Sequence, residues 1–129
     1  MFFFPLFRRP SCATHLEIGA SGEATAAQHL TRRGYEIVRR NLRVGRKDEV
    51  DILAYDPEEE IYVFVEVKTR AREDPDYAPE INATRRKRTH MARAARRWMD
   101  TFAADIGYRL DLVCVADGRV AQHYEDIEH

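Results

Sequence analysis

The hydrophobic and polar positions of the chain follow two periods, which predict two helices and five strands. Residues 16–33 place small and apolar side chains at helical spacing, and Gly34 stands where helices commonly end. Residues 84–104 repeat the helical spacing, and the stripe that we expect to be buried comprises Met91, Ala95, Trp98 and Phe102. The strands are predicted at residues 35–40, 49–55, 61–69, 108–115 and 120–124.

The third predicted strand determines the fold class that we expect. Its apolar run, residues 61–65, is typical of a central strand that is covered on both faces. The acidic turn at residues 56–60 joins it to the second strand as a hairpin, whereas residues 42–48 are predicted to form a polar connection. The order of one helix, three strands, one helix and two strands predicts an α/β fold, in which a mixed central β-sheet is flanked by helices.

The size and composition of the chain, 129 residues of which 44% are hydrophobic and 33% charged, are those of one globular domain. We expect this domain to span residues 15–124, with a poorly ordered N-terminal extension at residues 1–14 and an acidic tail at residues 125–129. The two cysteines, Cys12 and Cys114, have no CxxC spacing, which argues against a disulfide framework and favours a reducing compartment. No apolar run approaches the roughly 18 residues of a membrane helix, so we expect a cytoplasmic protein that contacts no membrane.

The cations of the chain are unevenly distributed, although the net charge is only -1. Residues 81–99 contain no Asp or Glu, yet they carry seven of the 21 basic residues, which are Arg85, Arg86, Lys87, Arg88, Arg93, Arg96 and Arg97. Such a segment favours a polyanionic partner such as DNA, and a solvated helix face explains the same run. On the predicted helix Lys87 faces inward, and the outward stripe that could follow a phosphate backbone comprises Arg86, Arg93 and Arg97.

The candidate chemistry lies where the third strand ends, at Glu66 and Lys68. Residues two apart on a strand share a face, and the predicted hairpin brings Asp51 of the second strand alongside Glu66. Two carboxylates can hold Mg²⁺ and an ammonium can orient the attacking water, which is what metal-assisted hydrolysis of a phosphodiester requires. A cross-strand salt bridge among the same groups is the alternative that the pattern alone leaves open.

Two further acids and the histidines complete the list of candidates. Glu49 shares the face of Asp51 and is a competing ligand, although its place at the start of the strand favours a solvated role. Glu23 projects from the packing face of the first helix, where it either forms an ion pair, with Lys68 or Lys87, or holds a metal-bound water. The histidines show no ligand spacing and are expected at the surface; they are His15, His29, His90, His123 and His129.

Several motifs together resemble the YraN family of small bacterial proteins. They are Gly19-x-x-Gly22-Glu23, Ala26-Ala27-x-x-Leu30-x-x-x-Gly34-Tyr35, Asn41, the segments 49–54 and 63–70, Lys87 and the segment 110–113. The resemblance covers about residues 15–115. One departure is Asp48, which stands where members of the family usually have Gly.

Through this family the chain is similar to the PD-(D/E)xK restriction-endonuclease-like nucleases, and within them to archaeal Holliday-junction resolvases. The resemblance implies an endonuclease that uses Mg²⁺ or Mn²⁺ and acts on DNA, branched DNA included. It assigns Asp51, Glu66 and Lys68 as catalytic residues, with the two carboxylates as metal ligands and Glu23 helping to hold the metal. The alternative is a nucleic-acid-binding or structural partner of a DNA-processing complex without turnover, and a homodimer is left open as its assembly.

Overall fold

The computed structural model describes residues 15–70 and 85–128, with side chains described in residues 21–70 and 86–128. The N-terminal extension predicted at residues 1–14 and the last residue of the acidic tail lie outside these ranges. Along the chain the elements are α1 (His15–Arg32), β1 (Glu36–Val44), β2 (Asp48–Asp56), β3 (Ile61–Arg70), α2 (Arg85–Phe102), β4 (Tyr108–Ala116) and β5 (Arg119–Tyr124).

The strands form one five-stranded sheet in the order β1-β2-β3-β4-β5. Neighbouring strands are antiparallel except β3 and β4, which are parallel and are connected through α2. The central strand is β3, as its apolar run predicts, and Val63, Phe64 and Val65 are fully buried. The predicted α/β fold with a mixed central sheet flanked by helices is therefore confirmed.

Each helix covers one face of the sheet with a core of its own. Ala26 and Leu30 of α1 pack on one face, and Met91 and Ala95 of α2 pack on the other with Phe64. Gly22 permits a close approach of α1 to the end of β3, because a Cβ at this position would clash with the side chain of Thr69. This approach brings Glu23, the next residue of α1, toward the point where β2 and β3 separate.

Two predictions of detail are wrong. Strand β1 continues to Val44 and β2 begins at Asp48, so the polar connection predicted at residues 42–48 is shortened to the turn at residues 45–47. Because β1 is an edge strand with many exposed polar side chains, the single buried Leu42 gives little strand signal in the sequence. Phe102, predicted in the buried stripe of α2, is the last residue of that helix and is 70% exposed, with its ring against Trp98.

Side chains of β1 and β2 change faces near the end where β2 separates from β3. In β2, Ile52 packs in the α1 core and Val50 packs in the α2 core, although residues two apart normally point the same way. In β1, the partners of these residues flank Asn41, which has a φ of 54°, a left-handed conformation that Asn adopts more readily than most residues. Asp51 therefore lies at the point where the strand turns from one core to the other.

Candidate metal and DNA site

Asp51 and Glu66 lie at the point where β2 and β3 separate. The pairing of the two strands ends at Ile52 and Val65, so these acids are the next residue on each strand. Oδ2 of Asp51 accepts a hydrogen bond of 2.8 Å from the backbone N–H of Val67. The sequence prediction that a hairpin brings Asp51 alongside the end of β3 is thus realised in the structure.

The electrostatics of Asp51 are unfavourable for an isolated carboxylate. Burial, followed by the charge of Glu66, raises the pKa of Asp51 from 3.8 to about 6, while the N–H of Val67 and the Lys87 ammonium oppose this rise. A cation bound between the acids would stabilise the ionised form, and a perturbed carboxylate of this kind is common at functional sites.

The cation that the structure places on Glu66 is Lys87, not Lys68. Nζ of Lys87 lies 2.7 Å from Oε2 of Glu66, whose side chain is only 14% exposed. Partial burial acts to lower the pKa of Lys87, but the hydrogen bond to Glu66 and the charges of Glu66 and Asp51 raise it overall. The inward orientation predicted for Lys87 is therefore observed, and it brings the first turn of α2 to the acidic pair.

Lys68 shares the face of Glu66 by strand alternation, and it is exposed. Among the hydrogen bonds and ion pairs of the described residues, none joins Lys68 to Asp51 or Glu66. Its ammonium is therefore next to the acidic pair in sequence and open to solvent, rather than part of a salt bridge with these two acids.

Glu23 approaches the same region from α1. Burial and the charge of Asp51 raise the pKa of Glu23, while Arg40 acts to lower it. Its ion pair, at 4.0 Å, is with Arg40 and not with Lys68 or Lys87, the two partners considered from the sequence. Glu49 is half exposed and lies 3.6 Å from Nε of Arg43, in agreement with the solvated role expected for it.

The donor set fits a hard divalent cation that keeps much of its water. Within the described part of the chain, no three His, Cys, Asp or Glu side chains are grouped closely enough to hold a metal by themselves. Mg²⁺, however, is commonly bound through only one or two carboxylates together with waters and substrate phosphate oxygens. Asp51 and Glu66 supply two such carboxylates. The raised pKa of Asp51 reflects an ionised form that is disfavoured without a cation and that a bound cation would stabilise.

Arg93 of α2 does not belong to the outward, solvent-facing stripe that the sequence predicts. The guanidinium of Arg93 donates two hydrogen bonds of 2.8 Å to Asp48, which is almost fully buried, so this cation is engaged within the fold. His90 lies 3.8 Å from the same carboxylate. Arg86 and Arg97 are exposed, and the guanidinium of Arg97 lies against Gly45 in the β1–β2 turn. The stripe available to a polyanion therefore includes Arg86 and Arg97, whereas Arg93 secures α2 to the hairpin.

A second polar cluster, not predicted from the sequence, lies under the C-terminal end of α1. Asp111 is fully buried and accepts hydrogen bonds from Arg109, from Nε2 of His123 and from the backbone N–H of Asp126. Nδ1 of His123 lies 3.0 Å from Nη1 of Arg33 and 3.0 Å from Nε2 of His29. The expectation that all histidines lie at the surface is therefore wrong for His123. The available signal was a lone acid within the apolar strand β4, which requires buried partners.

These features define a small α/β domain with an acidic pair where two central strands separate, next to a cationic helix. The chain belongs to the uncharacterised protein family UPF0102, whose model matches residues 22–115, and the YraN resemblance is thereby confirmed. A UPF0102 protein of Chlorobaculum tepidum is 41% identical over 117 residues, which cover 87% of each chain. UPF0102 proteins of Mycobacterium avium and Alkalilimnicola ehrlichii are 40% identical over 109 residues and 44% identical over 94 residues, covering 82% and 71% of each chain.

Of the helices in the described residues, neither is long and apolar enough to cross a membrane.

Proposed function

We propose that this protein is a Mg²⁺-dependent, restriction-endonuclease-like enzyme that hydrolyses phosphodiester bonds of DNA, branched DNA included. The observation that carries the proposal is the pairing of Asp51 with Glu66 where β2 and β3 separate, with the cationic α2 directly beside them. Two adjacent carboxylates in a partly buried setting favour a cation, and a neighbouring run of cations favours a phosphate polymer.

In this proposal Asp51 and Glu66 are the metal ligands, and Mn²⁺ can replace Mg²⁺. A divalent ion bound there supplies Lewis-acid stabilisation of the charge that develops on the phosphate oxygens. The Val67 N–H holds the Asp51 carboxylate in place, because it fixes one of the two oxygens at 2.8 Å. Glu23 adds negative potential from α1 and orients water at the edge of the site.

Lys68 orients the attacking water in this proposal. Its exposed ammonium stands two residues from Glu66 on the same face of β3, from where it can orient the attacking water and balance charge on the phosphate. Arg86 and Arg97 contribute sequence-independent contacts to the DNA backbone, because exposed guanidinium groups bind phosphates without reading bases. Lys87 contacts Glu66 and links the helix to the metal site.

The test is cleavage of linear, flapped and four-way DNA by purified wild type, Glu66→Gln and Arg96→Gln, each with Mg²⁺, Mn²⁺ or EDTA. Wild type and the charge control Arg96→Gln should cleave at least one DNA with metal and none with EDTA. Glu66→Gln should be inactive, because it keeps the size of the side chain but loses the ligand charge. Cleavage that is equal with metal and with EDTA, or equal in Glu66→Gln and wild type, would exclude this function.

A second candidate is a DNA-binding protein without turnover, acting as a partner in a DNA-processing complex. The specific observation in its favour is the Lys87–Glu66 ion pair, which compensates the charge of one acid without any metal. This candidate predicts DNA binding that falls with salt and is indifferent to divalent metal and to Glu66→Gln, together with no cleavage.

A further inference from the structure

We propose that Lys87 and a divalent ion compete for Glu66, so that metal binding releases the Lys87 ammonium into the cleft, where it takes a DNA phosphate. This inference rests on the proposed function and concerns the regulation of the same site. Metal binding at the acidic pair and binding of the DNA backbone are then coupled, because Lys87 exchanges Glu66 for a DNA phosphate.

The ammonium of Lys87 lies at the acidic pair. Nζ of Lys87 lies 2.7 Å from Oε2 of Glu66, a short, charge-assisted contact. The same ammonium lies close enough to Asp51 to oppose the rise in the pKa of this second acid. Lys87 thus interacts with both carboxylates that are proposed as ligands, and it occupies the electrostatic role of a bound cation.

Simultaneous contact of Glu66 with the Lys87 ammonium and with a divalent ion is electrostatically unfavourable. Its carboxylate is largely buried, so the repulsion between an ammonium in contact with one oxygen and a divalent ion on the carboxylate is poorly screened by water. Asp51 has one oxygen already bound to the Val67 N–H, which limits how far it can move to take over the ammonium. Lys87 must therefore leave Glu66, or weaken its contact, when Glu66 becomes a metal ligand.

The side chain of Lys87 has room to move. Its side chain is 54% exposed, although its ammonium contacts the buried acid. The flexible stem comes from the first turn of α2, and it lines a small hollow with Glu66, Arg88, Met91, Leu112 and Ile127. A lysine so placed can turn its head group to solvent without unpacking the core.

The released ammonium has a defined alternative partner. The neighbours of Lys87 in the first turn of α2 are arginines, and this turn contains no acid. A phosphate brought to this turn by the DNA is the complementary anion. Because coupling between two ligands is reciprocal, DNA binding that draws Lys87 from Glu66 must also raise the affinity for metal.

The experiment is calorimetric titration of Mn²⁺ into wild type, Lys87→Gln and Arg88→Gln without DNA. Arg88→Gln is the matched control, since it removes the same charge from the same turn, and the described residues include no ion pair between Arg88 and Glu66. Lys87→Gln should bind Mn²⁺ roughly threefold to tenfold more tightly than Arg88→Gln, because no ion pair has to be broken. Equal affinities in the two variants, or weaker binding in Lys87→Gln, would overturn the exchange while leaving the metal site in place.

A second measurement uses the unmodified chain. Lysine side-chain NMR of wild type during a Mg²⁺ titration should show the Lys87 ammonium signal shifting and gaining mobility as the metal binds. A Lys87 signal that stays constant while metal binds would overturn the exchange alone. Wild type and variants that all fail to bind either metal would overturn both the exchange and the proposed nuclease function.

Discussion

The backbone N–H of Val67 donates a hydrogen bond to Oδ2 of Asp51 at 2.8 Å, just beyond the last paired residues of β2 and β3. The side chain thus bridges two strands at the point where their backbones separate. The bond favours the ionised carboxylate, yet burial and Glu66 outweigh it and raise the pKa of Asp51 to about 6. A bound cation would therefore stabilise the ionised form of Asp51, which burial and the charge of Glu66 disfavour.

Asp51→Asn should stabilise the protein near pH 8, because Asn keeps an oxygen that can accept the Val67 hydrogen bond but carries no charge. The pKa of Asp51 is about 6 in the folded state, compared with 3.8 in the unfolded state. Between pH 3.8 and about pH 6, Asp51 is therefore protonated in the folded state and ionised in the unfolded state. Wild type accordingly loses stability as the pH rises through this window, by up to about 3 kcal/mol above it. Urea unfolding at about pH 4 and about pH 8 measures this difference, which should be small at the lower pH, close to the unfolded pKa of 3.8.

Asp100→Asn is the control for this comparison, since Asp100 is an exposed acid of α2. Its stability should match wild type at both pH values. A finding that Asp51→Asn is less stable than wild type near pH 8 would mean that the ionised carboxylate is stabilising, and the electrostatic argument for a cation would then be lost.

Lys68→Ala should reduce DNA cleavage by about 10²–10⁴-fold while leaving the affinity for Mn²⁺ unchanged, because an ammonium is not a metal ligand. Lys68→Arg should also cleave poorly, since a planar guanidinium cannot replace a compact ammonium that orients one water. Single-turnover cleavage and calorimetry separate the two effects. Cleavage by Lys68→Ala at the wild-type rate would remove the lysine from the mechanism.

Arg86→Gln and Arg97→Gln should each flatten the dependence of log K on log salt by about 0.9 for duplex DNA, because each exposed cation releases about one counterion. Arg93→Gln should instead lower the melting temperature, since it leaves the buried Asp48 without its main partner. Fluorescence anisotropy at several salt concentrations and thermal melts distinguish these roles. An unchanged slope in the Arg86→Gln, Arg97→Gln double variant would show that DNA does not follow this face of α2.

Asp111→Ala should destabilise the fold by about 3–5 kcal/mol, because it strands the largely buried Arg109 without its carboxylate. The affinity for Mn²⁺ should be unchanged when measured on folded protein, since Asp111 belongs to a cluster separate from the acidic pair. Urea unfolding with calorimetry checks both statements. A loss of metal affinity with intact stability would place Asp111 in the metal site and contradict this division.

Local sequence signals were sufficient for the frame of the fold and for the acidic pair. The continuous apolar run of β3 identified a central strand, and the acidic turn before it specified the hairpin that brings Asp51 alongside Glu66. The inward orientation of Lys87 followed from its spacing of four residues from the buried Met91. In each case a short-range period decides which face a side chain occupies.

The missed contacts depend on how distant elements pack. Arg93 and Asp48 are 45 residues apart, and their pairing requires α2 to lie across the β1–β2 hairpin. Glu23 meets Arg40 where β1 changes faces around Asn41, which an alternating pattern cannot reveal. Specific pairings of this kind arise from tertiary geometry rather than from the period of any one segment.

The most direct test of the acidic pair as a metal site is the anomalous difference map of crystals soaked with Mn²⁺. We expect a peak between Asp51 and Glu66, about 2.0–2.6 Å from an oxygen of each, with Nζ of Lys87 withdrawn from its 2.7 Å contact to Glu66. A map with no peak at these carboxylates, and with Lys87 still bound to Glu66 at saturating Mn²⁺, would contradict this expectation.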